Sequence, residues 1–194
     1  MAKLLVVNHL TLDGVMQAPA RPDEDTRGGF EHGGWAIPGE DEAMVAQIGE
    51  RMGAERVFLF GRRTYEDLYE VWPKRTGDPM GEALTNTPKY VASRTLTEPL
   101  PWSNSILLDA DATDAVAKLK QQPIGPLTIF GSGELITSLM QADLIDEYLL
   151  MIHPLVLGTG RRMLPDGVHA SLRFIESVTT SKGVVIATYE PATN

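Results

Sequence analysis

The sequence has no cysteine, which removes disulfides, thiolate metal sites and a cysteine nucleophile. Positive charge is scarce: 17 lysines and arginines stand against 26 aspartates and glutamates, for a net charge of −9. That balance argues against a nucleic-acid-binding surface, though it leaves room for a local basic pocket. Long hydrophobic runs are missing too. The apolar run Leu4 to Val7 is far too short for a membrane span or the core of a signal peptide. No Asn-x-Ser/Thr acceptor occurs either, so a cytoplasmic protein that binds neither membrane nor nucleic acid is expected. His9, His32, His153 and His169 show no metal-ligand spacing; no metal is expected, and each reads as structural or surface. There is no Gly-x-Ser-x-Gly elbow and no Gly-Lys dipeptide, which excludes the hydrolase nucleophile turn and the Walker A loop.

What is present is an ordinary globular composition, 43% hydrophobic and 22% charged over 194 residues. That is enough for one well-buried core, so residues 1–194 are expected to form a single domain. Lys3 to Leu10, Arg56 to Phe60, Tyr90 to Ala92, Ile106 to Leu108, Leu127 to Phe130 and Ile145 to Ile152 read as strands. Between them, Glu40-Asp41-Glu42 opens a helix with Met44, Val45, Ile48 and Met52 on its apolar stripe and Gly53 as its C-terminal cap. Asp111 and Asp114 open another, and Glu134 begins a third with Leu135, Ile136, Leu139 and Met140 on one face. Leu172 to Thr180 and Val184 to Tyr189, joined at Ser181-Lys182-Gly183, read as an antiparallel hairpin. Alternating strands and helices ending in a hairpin predict an α/β fold, its sheet mostly parallel with an antiparallel edge. Two stretches lack periodicity. Asp13 to Pro38 is expected to be a lid or pocket wall, with Phe30 and Trp35 packing on something, and Trp72 to Thr87 is expected to be irregular.

Three strand ends carry similar equipment: Gly61-Arg62-Arg63-Thr64, Ser93-Arg94-Thr95 and Gly131-Ser132-Gly133. In an open α/β sheet, ligands bind beyond the carboxyl ends of the strands. Glycine turns at helix starts present free N–H groups to an anion, and arginine forks suit phosphate oxygens. Thr64 or a neighbour is expected to satisfy the first N–H groups of its own helix. The standard dinucleotide fingerprint fails, because Ile136 stands where a third small residue is needed and His153-Pro154 where an acid should end the next strand. No tyrosine is followed four residues later by lysine, so a short-chain dehydrogenase pair is missing as well.

Five segments in order carry a resemblance: Leu12-Asp13-Gly14, Gly61-Arg62-Arg63-Thr64-Tyr65, Val91-Ala92-Ser93-Arg94-Thr95-Leu96, Phe130-Gly131-Ser132-Gly133-Glu134-Leu135, and His153-Pro154-Leu155-Val156-Leu157-Gly158-Thr159-Gly160. The chain resembles the dihydrofolate-reductase-like superfamily, most closely the branch containing the reductase domain of riboflavin biosynthesis. The resemblance implies a three-layer α/β fold, a mixed sheet flanked by helices, NADPH as cofactor, a homodimer, and a heterocyclic pterin- or aminopyrimidine-like substrate. By the same resemblance, Gly61, Arg62, Arg63 and Thr64 would embrace the NADPH pyrophosphate together with Gly131, Ser132, Gly133, Glu134 and Leu135. Ser93 and Arg94 would hold the adenosine 2′-phosphate.

Dihydrofolate reductases carry a carboxylate after a Trp-x-x-Pro segment. Here Trp35-Ala36-Ile37-Pro38 precedes Glu40, so Glu40 and Asp13 are the candidate proton-handling groups, the former only if that acidic trio has a buried member. Trp35 and Arg161 are the substrate-side candidates, with Arg162, Lys74 and Arg75 as further basic anchors. A chain without cysteine cannot include the zinc deaminase that accompanies the bifunctional riboflavin enzyme. The expected activity is that of 5-amino-6-(5-phosphoribosylamino)uracil reductase; dihydrofolate reduction and a nucleotide-binding module without turnover are the alternatives.

Overall fold

The structure is a computed structural model and describes residues 1–52, 55–75, 77–108 and 111–192. Gly53, expected as a helix cap, lies outside the described residues, as does the Met52 side chain. Strands β1 (Leu4–Thr11), β2 (Val57–Gly61), β3 (Lys89–Ala92), β4 (Ser105–Leu108), β5 (Leu127–Phe130) and β6 (Glu147–His153) run parallel. The hairpin β7 (Leu172–Thr179) and β8 (Val185–Pro191) joins antiparallel to β6, giving the order β4-β3-β2-β5-β1-β6-β8-β7. The helices are α1 (Glu42–Met52), α2 (Arg62–Val71), α3 (Pro79–Asn86), α4 (Ala112–Lys120) and α5 (Gly133–Gln141).

Strand alternation divides the core in two. Leu4, Val6, Val57, Leu59, Leu127 and Ile129 pack against Val116 and Leu119 of α4 and Ile136 and Leu139 of α5. The intervening residues Leu5, Val7, Phe58 and Phe60 pack on the other face, against Met44 of α1, Tyr65 of α2 and Leu84 of α3. Both faces are apolar because central parallel strands are covered twice; the result is the three-layer α/β arrangement that the resemblance implies. It also sets the site. α2 leaves β2 toward one face and α5 leaves the neighbouring β5 toward the other, opening a crevice at their carboxyl ends.

One stretch departs from expectation. Trp72 to Thr87 is not irregular: a 3-10 turn at Trp72–Lys74 is followed by α3. Low helix propensity is outweighed at both ends. Asp78 caps α3 by accepting from the backbone N–H groups of Met80 and Gly81, and Pro79 occupies the first turn, where its missing N–H costs nothing. At the other end the fully buried Lys89 ammonium donates to the carbonyls of Leu84, Thr85 and Thr87 at 2.7, 3.1 and 2.8 Å. Those are carbonyls the helix leaves unpaired.

The long segment after β1 is an ordered wall with 3-10 turns at Arg27–Gly29 and Ile37–Gly39. Val15, Ala18, Phe30, Trp35 and Ala36 give it a small core of its own, and the Trp35 indole donates to the Gln17 carbonyl at 2.7 Å. It is stitched to the glycine-rich segment after β6 by a bridge between Val15 and Arg162 and by hydrogen bonds from Met16 N–H to the Arg161 carbonyl and from Arg161 N–H to Gln17 Oε1. Gly160 has φ +108°, and a Cβ there would meet the Phe30 ring at 2.7 Å, so the close approach of the two segments requires glycine.

Candidate active site

The crevice between β2 and β5 is bridged by one side chain. Ser132 Oγ accepts the Gly61 N–H at 2.9 Å and lies 2.8 Å from Thr64 Oγ1, tying the two glycine turns together. Gly131 (φ 57°) and Ser132 (φ 63°) are both left-handed, which swings the chain from β5 directly into α5. A Cβ on Gly61 would sit 2.8 Å from Ser132 Oγ, so only glycine permits this contact. No side chain caps either α2 or α5. Their first N–H groups and positive dipole ends therefore face one crevice, a cradle fitted to a pyrophosphate. Thr64 does not cap its own helix as expected, because its hydroxyl is drawn to Ser132.

The remaining cofactor-side candidates occupy distinct positions. Arg62 pairs with Glu66 at 3.3 Å, and Arg63 is exposed. The Leu135 side chain is buried in the core beneath α5, leaving only its backbone to face the crevice. Glu134 is exposed and lies 3.6 Å from the Arg161 guanidinium. At the end of β3, Ser93 Oγ accepts the N–H groups of Thr95 and Leu96, at 3.1 and 3.0 Å, shaping the turn that carries the exposed Arg94. The Asp111 carboxyl is held below its ordinary range chiefly by the Thr113 hydroxyl and in smaller part by the Arg94 charge.

The structure places the substrate-side candidates less uniformly. Arg161 reaches over the start of α5, and with Gln17, Arg27, Gly28, Phe30, Thr159 and Gly160 it lines a cleft of about 190 Å³. Trp35 is buried in the wall, its edge against the His153 ring at 5.2 Å. Asp13 is a clamp: its carboxylate accepts from the Thr11 hydroxyl at 2.6 Å and from the Leu157 and Gly158 N–H groups at 3.2 and 2.8 Å. Led by the Thr11 hydrogen bond, these contacts hold its pKa down to about 2. It is ionised at neutral pH and has no proton to lend. Glu40 is exposed, and neither Asp41 nor Glu42 is buried; Asp41 is held low by the Ser181 hydroxyl and starts α1 by accepting the Ala43 N–H. The buried carboxylate that an amidine-binding reductase would need is therefore absent from this trio.

Two residues that sequence reasoning set aside come together here. His9 Nδ1 and His153 Nε2 lie 2.9 Å apart at the carboxyl ends of β1 and β6. They are separated by 144 residues and meet only because the connection from β5 passes over β1 and sets β6 beside it on the far side. No local spacing signals such a pair. Among the described residues, no group of three or more His, Asp or Glu is arranged to hold a metal ion, and no helix is long and apolar enough to cross a membrane.

The chain is 31% identical to the uncharacterized protein YyaP of Bacillus subtilis (strain 168) over 137 residues, 68% of this chain and 71% of YyaP. Its fold matches that of a putative riboflavin biosynthesis protein from Shewanella sp. PV-4 with a TM-score of 0.70, at 22% identity and covering all of both chains. It also matches dihydrofolate reductase from Enterococcus faecalis, solved with NADP(H), with a TM-score of 0.64, at 13% identity and covering 98% of this chain and 97% of the other. The architecture is thus dihydrofolate-reductase-like, and together with the family match it supports a reductase. The family model for the RibD C-terminal domain matches residues 2–186, and the chain belongs to that family.

Proposed function

We propose that this protein is an NADPH-dependent reductase of a heterocyclic, pterin- or aminopyrimidine-like substrate, of the type represented by 5-amino-6-(5-phosphoribosylamino)uracil reductase. The observation that carries the reading is the Ser132 bridge, which joins two uncapped helix starts at one crevice. The residues fit the cofactor. Gly61 and Gly131 to Gly133 form a backbone cradle that larger side chains would fill, and Ser93 and Arg94 stand one strand away, where an adenosine 2′-phosphate would distinguish NADPH from NADH. The bound cofactor would supply a hydride; the chain orients it, excludes water and provides the surrounding charge.

The reaction end follows from the sheet order. From β3 to β1 is three strand spacings, about 14 Å, so a dinucleotide anchored at β3 and at the β2/β5 crevice extends toward β1 and β6. Trp35, His9 and His153 wait there. Fluorescence titration with NADPH, followed by NADPH absorbance loss across a panel of pterins and aminopyrimidines, tests the reading. Micromolar binding and oxidation with an aminopyrimidine are expected; no binding would sink it, and binding without oxidation would leave a nucleotide-binding module. Dihydrofolate reduction is the weaker reading, because Glu40 lies exposed rather than buried beside the cleft.

A further inference from the structure

β1 runs past the end of β5. Val7 pairs with Phe130, the last residue of β5, and His9 follows two residues later on the same face of the sheet. Its ring therefore stands just beyond the strand end from which Gly131 begins the cradle. The 2.9 Å contact with His153 requires one imidazole to donate and the other to accept, so the two rings share a single proton between them. His153 is held firmly. It is 1% exposed, Trp35 packs edge-on against it, and a Cβ on Gly39 would meet its Nδ1 at 2.6 Å.

His9 is different in one respect. It retains accessible surface, yet it is enclosed deeply enough that burial, aided by His153, lowers its pKa to about 3. The ring is enclosed without being sealed from solvent, and it is neutral at physiological pH. Its Nε2 has no hydrogen-bond partner among the described residues. His153 Nδ1 likewise has none, so of the two outer nitrogens only His9 Nε2 belongs to a ring that retains accessible surface.

We propose that His9, oriented by His153, donates the proton that accompanies hydride transfer in this site. The proposal rests on the reductase reading. In the tautomer in which His153 Nε2–H donates into His9 Nδ1, the His9 proton sits on Nε2, away from the pair. When a C=N or C=O bond is reduced, the carbon gains the hydride with its electron pair, and NADPH is left as NADP⁺. The π electrons move to the heteroatom, which takes the proton from His9 Nε2. Nε2 recovers a proton from water once the product leaves the cleft. A neutral imidazole suits this role, because the nitrogen or oxygen anion it meets is the stronger base. His153 acts through His9 and is a positioning residue. Asp13, ionised and clamped, and Glu40, exposed, do not compete for the role.

Two measurements test it. In ¹⁵N-histidine NMR of the unliganded protein at neutral pH, the His9 proton is expected on Nε2; finding it on Nδ1 overturns the proposal without any substrate. The second is rapid-mixing NADPH absorbance with 5-amino-6-(5-phosphoribosylamino)uracil as the probe. His9→Gln is expected to lose about 100-fold in kcat while the NADPH Kd and the probe KM move by less than about threefold. Added imidazole is expected to restore turnover to His9→Ala, an effect a packing role would not produce. A Gln variant at wild-type rate, or an Ala variant that imidazole does not rescue, overturns the inference while leaving the reductase reading intact. A wild type that binds NADPH but never oxidises it overturns both.

Discussion

The two ends of the candidate site are built in different ways. At the proposed cofactor end, Gly61 to Thr64, Ser93-Arg94 and Gly131 to Gly133 are contiguous segments that present mostly backbone: uncapped helix N–H groups, left-handed turns, and a strand end that admits no Cβ. At the proposed reaction end, His9 meets His153, Asp13 holds Gly158, and Gln17 holds Arg161, each across 144 or 145 residues. A site made of local backbone geometry tolerates change elsewhere in the chain. A site made of long-range side-chain contacts depends on the sheet order and on two loops that brace each other.

The largest effect expected of this difference is in acid. The fold holds His9 neutral, with its pKa lowered from 6.5 to about 3, while the unfolded chain takes up the proton below its ordinary pKa. Stability from this site is complete above pH 6.5 and is lost as the pH falls toward 3, at about 1.4 kcal/mol per pH unit. His153, lowered by the same burial, adds in the same direction. Urea denaturation from pH 7 to pH 4 should show this slope in the wild type and a flatter one in His9→Phe; parallel slopes would remove the buried-pair account.

Next comes the cradle. Gly61→Val forces a side chain onto Ser132 Oγ, and the NADPH Kd should rise by about 100-fold, near 3 kcal/mol, with the histidine NMR signals unmoved. If those signals shift with it, the two ends are coupled and do not behave as separate units. Asp13→Asn should act the opposite way. Weakening the hold on Leu157 and Gly158 is expected to lower kcat/KM about tenfold with NADPH affinity kept. The smallest effect belongs to the exposed Arg94: Arg94→Ala should weaken NADPH by about 1 kcal/mol and leave NADH unchanged, measured by paired titrations. Equal losses for both would place the 2′-phosphate elsewhere.

These ends also differ in how far they could be read in advance. The glycine turns were legible because a strand followed by glycine and a helix start is a local pattern. The role of Ser132 was not, since its partners are Gly61 and Thr64 on another strand. α3 was hidden by Pro79 and Gly81, which depress propensity, and is secured by Asp78 and by Lys89 from a neighbouring strand. That Trp35 packs on something follows from an aromatic residue in an aperiodic stretch; that its partner is His153 follows only from the placement of β6.

By itself, the sequence determined the strand and helix alternation, the two-faced apolar core and the glycine turns, because these depend on side-chain periodicity and backbone freedom within a few residues. The tertiary structure decided which turns share a crevice, that Asp13 braces the turn at Leu157 and Gly158, and that His9 and His153 meet. Those outcomes depend on the strand order β2-β5-β1-β6. A burial-driven arrangement of that kind places residues from opposite ends of the chain within hydrogen-bonding distance, where no local pattern records it.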